Sequence, residues 1–181
     1  FLSLIGSMVG AIFLYRWRPS WPPHLPHPRL KGLGGWLILV GIQVLGQPIW
    51  QGWTLHYIWP QVQLSAWNAL TVPGGAQYHS LWAPALLYSL VFGIVFLIFD
   101  FVLIVFYFQK RRTFPLLMIV HIGIILVGSV FDHSILSTIA KALPEIGAGD
   151  TQKDLIRAAT RAAIWIPYFL VSKRVRTTFT R

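Results

Sequence analysis

Long apolar segments alternate with short polar ones along this chain, and Lys and Arg crowd every second polar segment. Segment 16–31 holds Arg16, Arg18, Arg29 and Lys31; segment 54–79 holds no Lys, Arg, Asp or Glu. Lys110, Arg111 and Arg112 form the third. The fourth mixes Lys141 and Lys153 with Glu145, Asp150 and Asp154, and the tail carries Lys173, Arg174, Arg176 and Arg181. Loops on the cytoplasmic side of a membrane retain basic residues, so the alternation sets both topology and orientation. It predicts an all-α, multi-pass transmembrane helix bundle with four spans from residue 33 onward. The first and third loops and the C-terminus are expected in the cytoplasm.

Composition supports that solvent. Charged residues are 11% and hydrophobic residues 55%, against about 25% charged in a soluble domain. The formal charge of +10 sits in blocks beside apolar segments. That placement anchors helices at anionic headgroups and excludes nucleic acid as a partner. Membrane lipids are the expected partners, with a second copy of the chain or another membrane protein beside them. The absence of Cys excludes disulfides and thiol chemistry.

Residues 1–15 are apolar but only about 22 Å long as a helix. Since the chain opens at Phe1, they are expected to be the second half of a truncated span. Gly6 and Gly10 make a small-residue stripe there. Pro19, Pro22, Pro23, Pro26 and Pro28 turn 16–31 into an extended cytoplasmic linker. His24 and His27 within it are too few to hold a metal. Residues 32–181 form the membrane domain. Pro48 is expected to kink or end its first helix. Residues 54–79, rich in Trp and Tyr, are expected on the outer surface as an interfacial helix or hairpin, turning at Pro73-Gly74-Gly75. Thr113 is an expected N-cap, with Pro115 in the first turn. Pro144, Gly147 and Gly149 end that helix. Thr151 and Asp154 resemble a capping box for a last helix running to about Arg176.

Two stretches carry a resemblance. Gly32-Leu33-Gly34-Gly35-Trp36-Leu37 opens one span, and Ala163-Ile164-Trp165-Ile166-Pro167-Tyr168-Phe169-Leu170-Val171-Ser172-Lys173-Arg174-Val175 closes the last, followed by Arg176-Thr177-Thr178-Phe179. Together they resemble a bacterial membrane-protein family known as domain of unknown function family 2569, over roughly residues 30 to 181. The resemblance implies a small multi-pass protein of the bacterial cytoplasmic, or inner, membrane. It supplies no activity, cofactor or catalytic residue.

Ionisable residues inside spans cost about 2.5–3.5 kcal/mol each at the centre, so each is a functional candidate. Here they form a candidate buried polar cluster of Asp100, His121, Asp132, Arg157 and Arg161. Asp100 stands about 12 Å from Phe108, and His121 about 12 Å from Thr113 on the next helix, so the two share a level. Asp132 lies about 28 Å up its helix; Arg157 and Arg161 lie about 24 and 18 Å above Lys173, on one face. In a structural reading Asp132 pairs with Arg157, and Asp100 with Arg161 or His121. In a functional reading they line a polar path for protons or a small anion. Asp132 and His133 point about 100° apart, a poor pair for one metal. Ser129, His121 and Asp132 assemble a triad only on paper. Pro167 should kink the last helix and free the Ala163 carbonyl.

No catalytic, cofactor-binding or metal residue is assigned. The expected function is a non-enzymatic inner-membrane protein that binds or organises a membrane partner. The alternative is a small transporter or channel subunit with a polar path near Asp100, His121 and Arg161. An intramembrane enzyme comes third.

Overall fold

The computed structural model describes residues 32–75, 77–143 and 151–180. The apolar segment 1–15, the proline linker and the Pro144–Gly149 stop signal lie outside them. Every described element is helical. Two helices, Trp82–Phe108 and Phe114–Ala142, are long and apolar enough to cross a membrane.

Helix α1 spans Trp36–Ile58. Gly35 precedes it with φ 59° and no side-chain cap, a conformation that favours glycine. Pro48 lies inside α1 without ending it. A 3-10 turn, Trp59–Val62, and a short helix α2, Leu64–Thr71, follow. The aromatic loop is therefore helical where it was expected as a helix or a hairpin. Gly74, at φ 95°, makes the turn that follows. Trp67 and Leu70 of α2 pack on Trp82, Leu86 and Ile139, which ties the loop to the bundle.

Helix α3 is Trp82–Phe108, and α4 is Phe114–Ala142. Between them the Arg111 N–H donates to the Phe106 carbonyl and the Lys110 N–H to Tyr107, both near 3 Å (3.0 and 3.1 Å). This is a Schellman closure, with Lys110 at φ 54° where glycine is usual. Thr113 stands at the cap position of α4, but its side chain makes no cap bond.

Helix α5 spans Thr151–Val171 and includes Pro167. It stops short of the expected Arg176. Ser172 adopts an extended backbone, and its hydroxyl accepts from the Val175 N–H to start a separate helix α6, Lys173–Thr178. Thr151 is the first helical residue of α5, and its hydroxyl lies 3.2 Å from His133 Nδ1.

Helix α1 lies along α3, α5 lies along α4, and the tight turn makes α3 and α4 a hairpin. The main core sits toward the α3–α4 turn. Leu37, Val40 and Val44 of α1 meet Leu103, Phe106 and Tyr107 of α3, with Phe114, Met118 and Ile122 of α4 and Phe169 of α5. Val175 and Phe179 close it from below, with the Phe179 ring stacked on Phe114 at 4.6 Å. Gly41 allows a close approach of α1 to α3. Tyr107 Oη donates to the Leu37 carbonyl at 2.7 Å, and a Cβ on Gly41 would stand 2.7 Å from that hydroxyl.

Candidate functional site

The bundle interior holds a small set of polar groups. Asp100 on α3 is 2% exposed and His121 on α4 is 1% exposed, with His121 Nε2 2.9 Å from Asp100 Oδ1. The separation suits an ion contact, but neither atom meets hydrogen-bond geometry with the other. The contact is therefore not a directed bond, and it is an ion pair only when His121 carries a proton. Phe96 and Phe99 flank the imidazole, with ring centroids 5.1 and 5.4 Å away. Those rings seal the pair from the apolar side.

Arg161 reaches the same level from α5. Its Nη1 donates to Gln47 Oε1 of α1 at 3.2 Å, and the Asp100 carboxylate lies within its electrostatic range. Asp100, His121, Arg161 and Gln47 thus link α1, α3, α4 and α5. The carboxylate and guanidinium offset each other's charge. Each would be costly alone at this burial.

Asp132 and Arg157 lie elsewhere. Arg157 Nη1 contacts Asp154 Oδ1 at 2.9 Å, three residues back on its own helix, and those side chains are 63% and 55% exposed. The expected Asp132–Arg157 pair is absent, and Arg157 is not buried. Asp132 instead lies within electrostatic range of Tyr88 and Asp154. His133 turns to Thr151, and Ser129 Oγ donates to the Ile125 carbonyl of its own helix. The paper triad therefore does not assemble.

Sequence reasoning passed over Gln43, Gln47 and Gln51. Their spacing of four puts them on one face of an apolar helix, and that polar stripe is the signal that could have found them. All three are half-buried. Gln43 Nε2 and His121 Nδ1 are buried with no hydrogen-bond partner among the described residues.

A second constellation forms at the α3–α4 turn end. The glycine stretch before α1 and the Trp165–Val175 stretch of α5 and α6 close on each other. Trp36 meets Trp165 and Tyr168 with ring centroids 6.4 Å apart in both cases. The Arg174 guanidinium lies against the turn, where a Cβ on Gly34 or Gly35 would stand 2.8 or 2.7 Å from its nitrogens. Thr178 Oγ1 bonds the Gly32 backbone, at 3.3 Å to its N–H and 3.2 Å to its carbonyl. Both glycines therefore make room for one arginine, a reason for glycine that the sequence alone did not supply.

No curated protein and no solved structure matches the chain. A family model does, over residues 30–180, and both contacting stretches fall within it. The chain belongs to the family described as protein of unknown function DUF2569.

Proposed function

We propose that this chain is a multi-pass protein of the bacterial inner membrane, with α1, α3, α4 and α5 as its four spans and its C-terminus in the cytoplasm. In this reading it is non-enzymatic and organises a membrane partner. The carrying observation is the meeting of the Gly32–Leu37 and Trp165–Val175 stretches at the end that holds Lys110, Arg111 and Arg112. A surface tied together by the two Thr178–Gly32 hydrogen bonds and the Trp36 ring contacts suits docking. The interior polar groups fit a supporting role, since Asp100 and His121 are 2% and 1% exposed and a conduit needs water access. Lipid covers the exposed apolar faces of α1, which include Ile42 at 63% and Ile49 at 76%.

Labelling and crosslinking test the proposal. Because the chain has no Cys, single Cys residues report cleanly. Ser65→Cys should react from outside intact cells, and Gln109→Cys only after lysis. A photo-crosslinking residue at Lys173 should yield one discrete membrane-protein adduct. Reversed labelling, or no adduct from any exposed position at this end, overturns the reading.

The glutamine stripe favours a second reading, a polar path for protons. Buried amide and imidazole atoms without partners suit a chain of waters. Proteoliposomes decide between the two. Proton flux above that of empty vesicles, abolished by Asp100→Asn in a chain of unchanged stability, selects the path.

A further inference from the structure

The geometry points to a binding site for one anionic phospholipid, its phosphate held by Arg174 on the Gly34–Gly35 turn and its acyl chain lying along the seam between α1 and α5. This deepens the reading of the basic end as the partner-facing end, and rests on that reading.

The charge distribution is one-sided. Lys110, Arg111, Arg112, Lys173, Arg174 and Arg176 gather where Phe114, Phe169 and Phe179 pack together. No Asp or Glu occurs in 109–113 or 173–180. The nearest acid along α3 is Asp100, about 12 Å further up, and it already faces His121. Among the described residues, neither of these two basic stretches contributes an acidic side chain to this end.

Within that group Arg174 is set apart by its place against the glycine turn. Its guanidinium lies against the Gly34–Gly35 turn, where a Cβ on either glycine would crowd its nitrogens, and its Nε is buried with no hydrogen-bond partner among the described residues. No carboxylate of the described residues pairs with it. A guanidinium presents a rigid fork matched to two oxygens of a phosphate or carboxylate. Contact with the turn narrows the orientations open to that fork, which lowers the ordering cost of binding.

The surroundings select a lipid over a free anion. Trp36, 60% exposed, follows the glycine turn directly, and Leu39, one turn further along α1, is 48% exposed. On α5, Ile164 is 52% and Val171 76% exposed. Trp165 and Tyr168 wall the seam between them. Indole and phenol rings sit at headgroup depth in membranes, which places the phosphate at Arg174 and apolar surface directly above it. A free phosphate gains nothing from that surface; a phospholipid uses both parts.

The test uses the full chain purified in an uncharged detergent. Phosphatidylglycerol, phosphatidylcholine and inorganic phosphate are each titrated in, and thermal unfolding is followed. Ligand that binds only the folded state raises Tm. Phosphatidylglycerol should raise Tm by several degrees, and the other two should not. Arg174→Gln should weaken the phosphatidylglycerol response about tenfold in concentration, while Arg112→Gln, at an exposed position, should keep it. Should Arg174→Gln fail to fold, Arg174→Lys retains the charge without the fork and should still weaken the response severalfold. Equal responses in wild type and both Arg174 variants overturn the site. An equal response to inorganic phosphate overturns the lipid assignment, and an equal response to phosphatidylcholine overturns the charge argument. Failure here is separable from failure of the proposed function. The titration needs neither cellular orientation nor a protein partner, so a retained response with no Lys173 adduct removes only the partner reading.

Discussion

Replacing Asp100 by Asn keeps the side-chain shape and deletes its charge. The Arg161 guanidinium then loses the carboxylate within its range, and His121 loses its contact at 2.9 Å. Removing one partner of a buried pair costs about 3–5 kcal/mol in soluble proteins. Polar couplings inside membrane bundles are smaller, averaging about 0.6 and reaching about 1.7 kcal/mol. The amide retains some hydrogen bonding, so Asp100→Asn should destabilise by about 2 kcal/mol, between these scales. Arg161→Gln should cost about 1 kcal/mol, because the longer side chain is only half-buried and its Gln47 contact is replaceable. The double variant should cost about 1 kcal/mol less than the sum, since no charge is then stranded. Unfolding in a detergent-to-SDS titration, read by the chain's 9 Trp residues, measures all three. If the two costs add within about 0.5 kcal/mol, Asp100 and Arg161 do not couple and the electrostatic account of the interior is wrong.

The same titration reads further expectations. Tyr107→Phe should cost about 1 kcal/mol by leaving the Leu37 carbonyl without its donor. Gly41→Ala should cost more alone, yet little on top of Tyr107→Phe, because its Cβ would meet the Tyr107 hydroxyl; additive costs would refute the close approach. Lys110→Gly should stabilise by about 1 kcal/mol, since Lys110 sits at φ 54° where an L side chain is strained. A loss of stability would instead mean that the lysine contributes more through its charge than the backbone strain costs.

The helical class, the two apolar helices α3 and α4 and the tight basic turn between them follow from hydropathy and from Pro115 near the start of α4. The common level of Asp100 and His121 follows from helical rise on a hairpin. Gln47 escaped notice because a neutral side chain raises no electrostatic alarm in a sequence, although its spacing from Gln43 and Gln51 marks a face. The end of α5 was misplaced by five residues' worth of apparent helix, from Val171 to Arg176. Nothing in Leu170-Val171-Ser172-Lys173 breaks a helix by propensity. Ser172 stops it through a capping bond to Val175, and the packing of Val175 and Phe179 into the core favours the new direction.

Arg157 shows how a local contact can defeat a distant one. Depth counting brought it level with Asp132 on the neighbouring helix and made the two look like partners. Asp154, however, stands three residues away on the same helix, where the backbone already holds the two side chains adjacent. Closing that pair orders only the side chains, whereas reaching Asp132 would also desolvate both groups between helices. At an exposed helix start the local pair wins, as the 2.9 Å contact records. Arg161, four residues further on, has no acid at three or four residues in either direction. It has to look across to other helices, and it finds Gln47 and the field of Asp100. The difference between a surface pair and an interior cluster was therefore written in the spacing of the acids along α5. It becomes legible once local partners are assigned before remote ones.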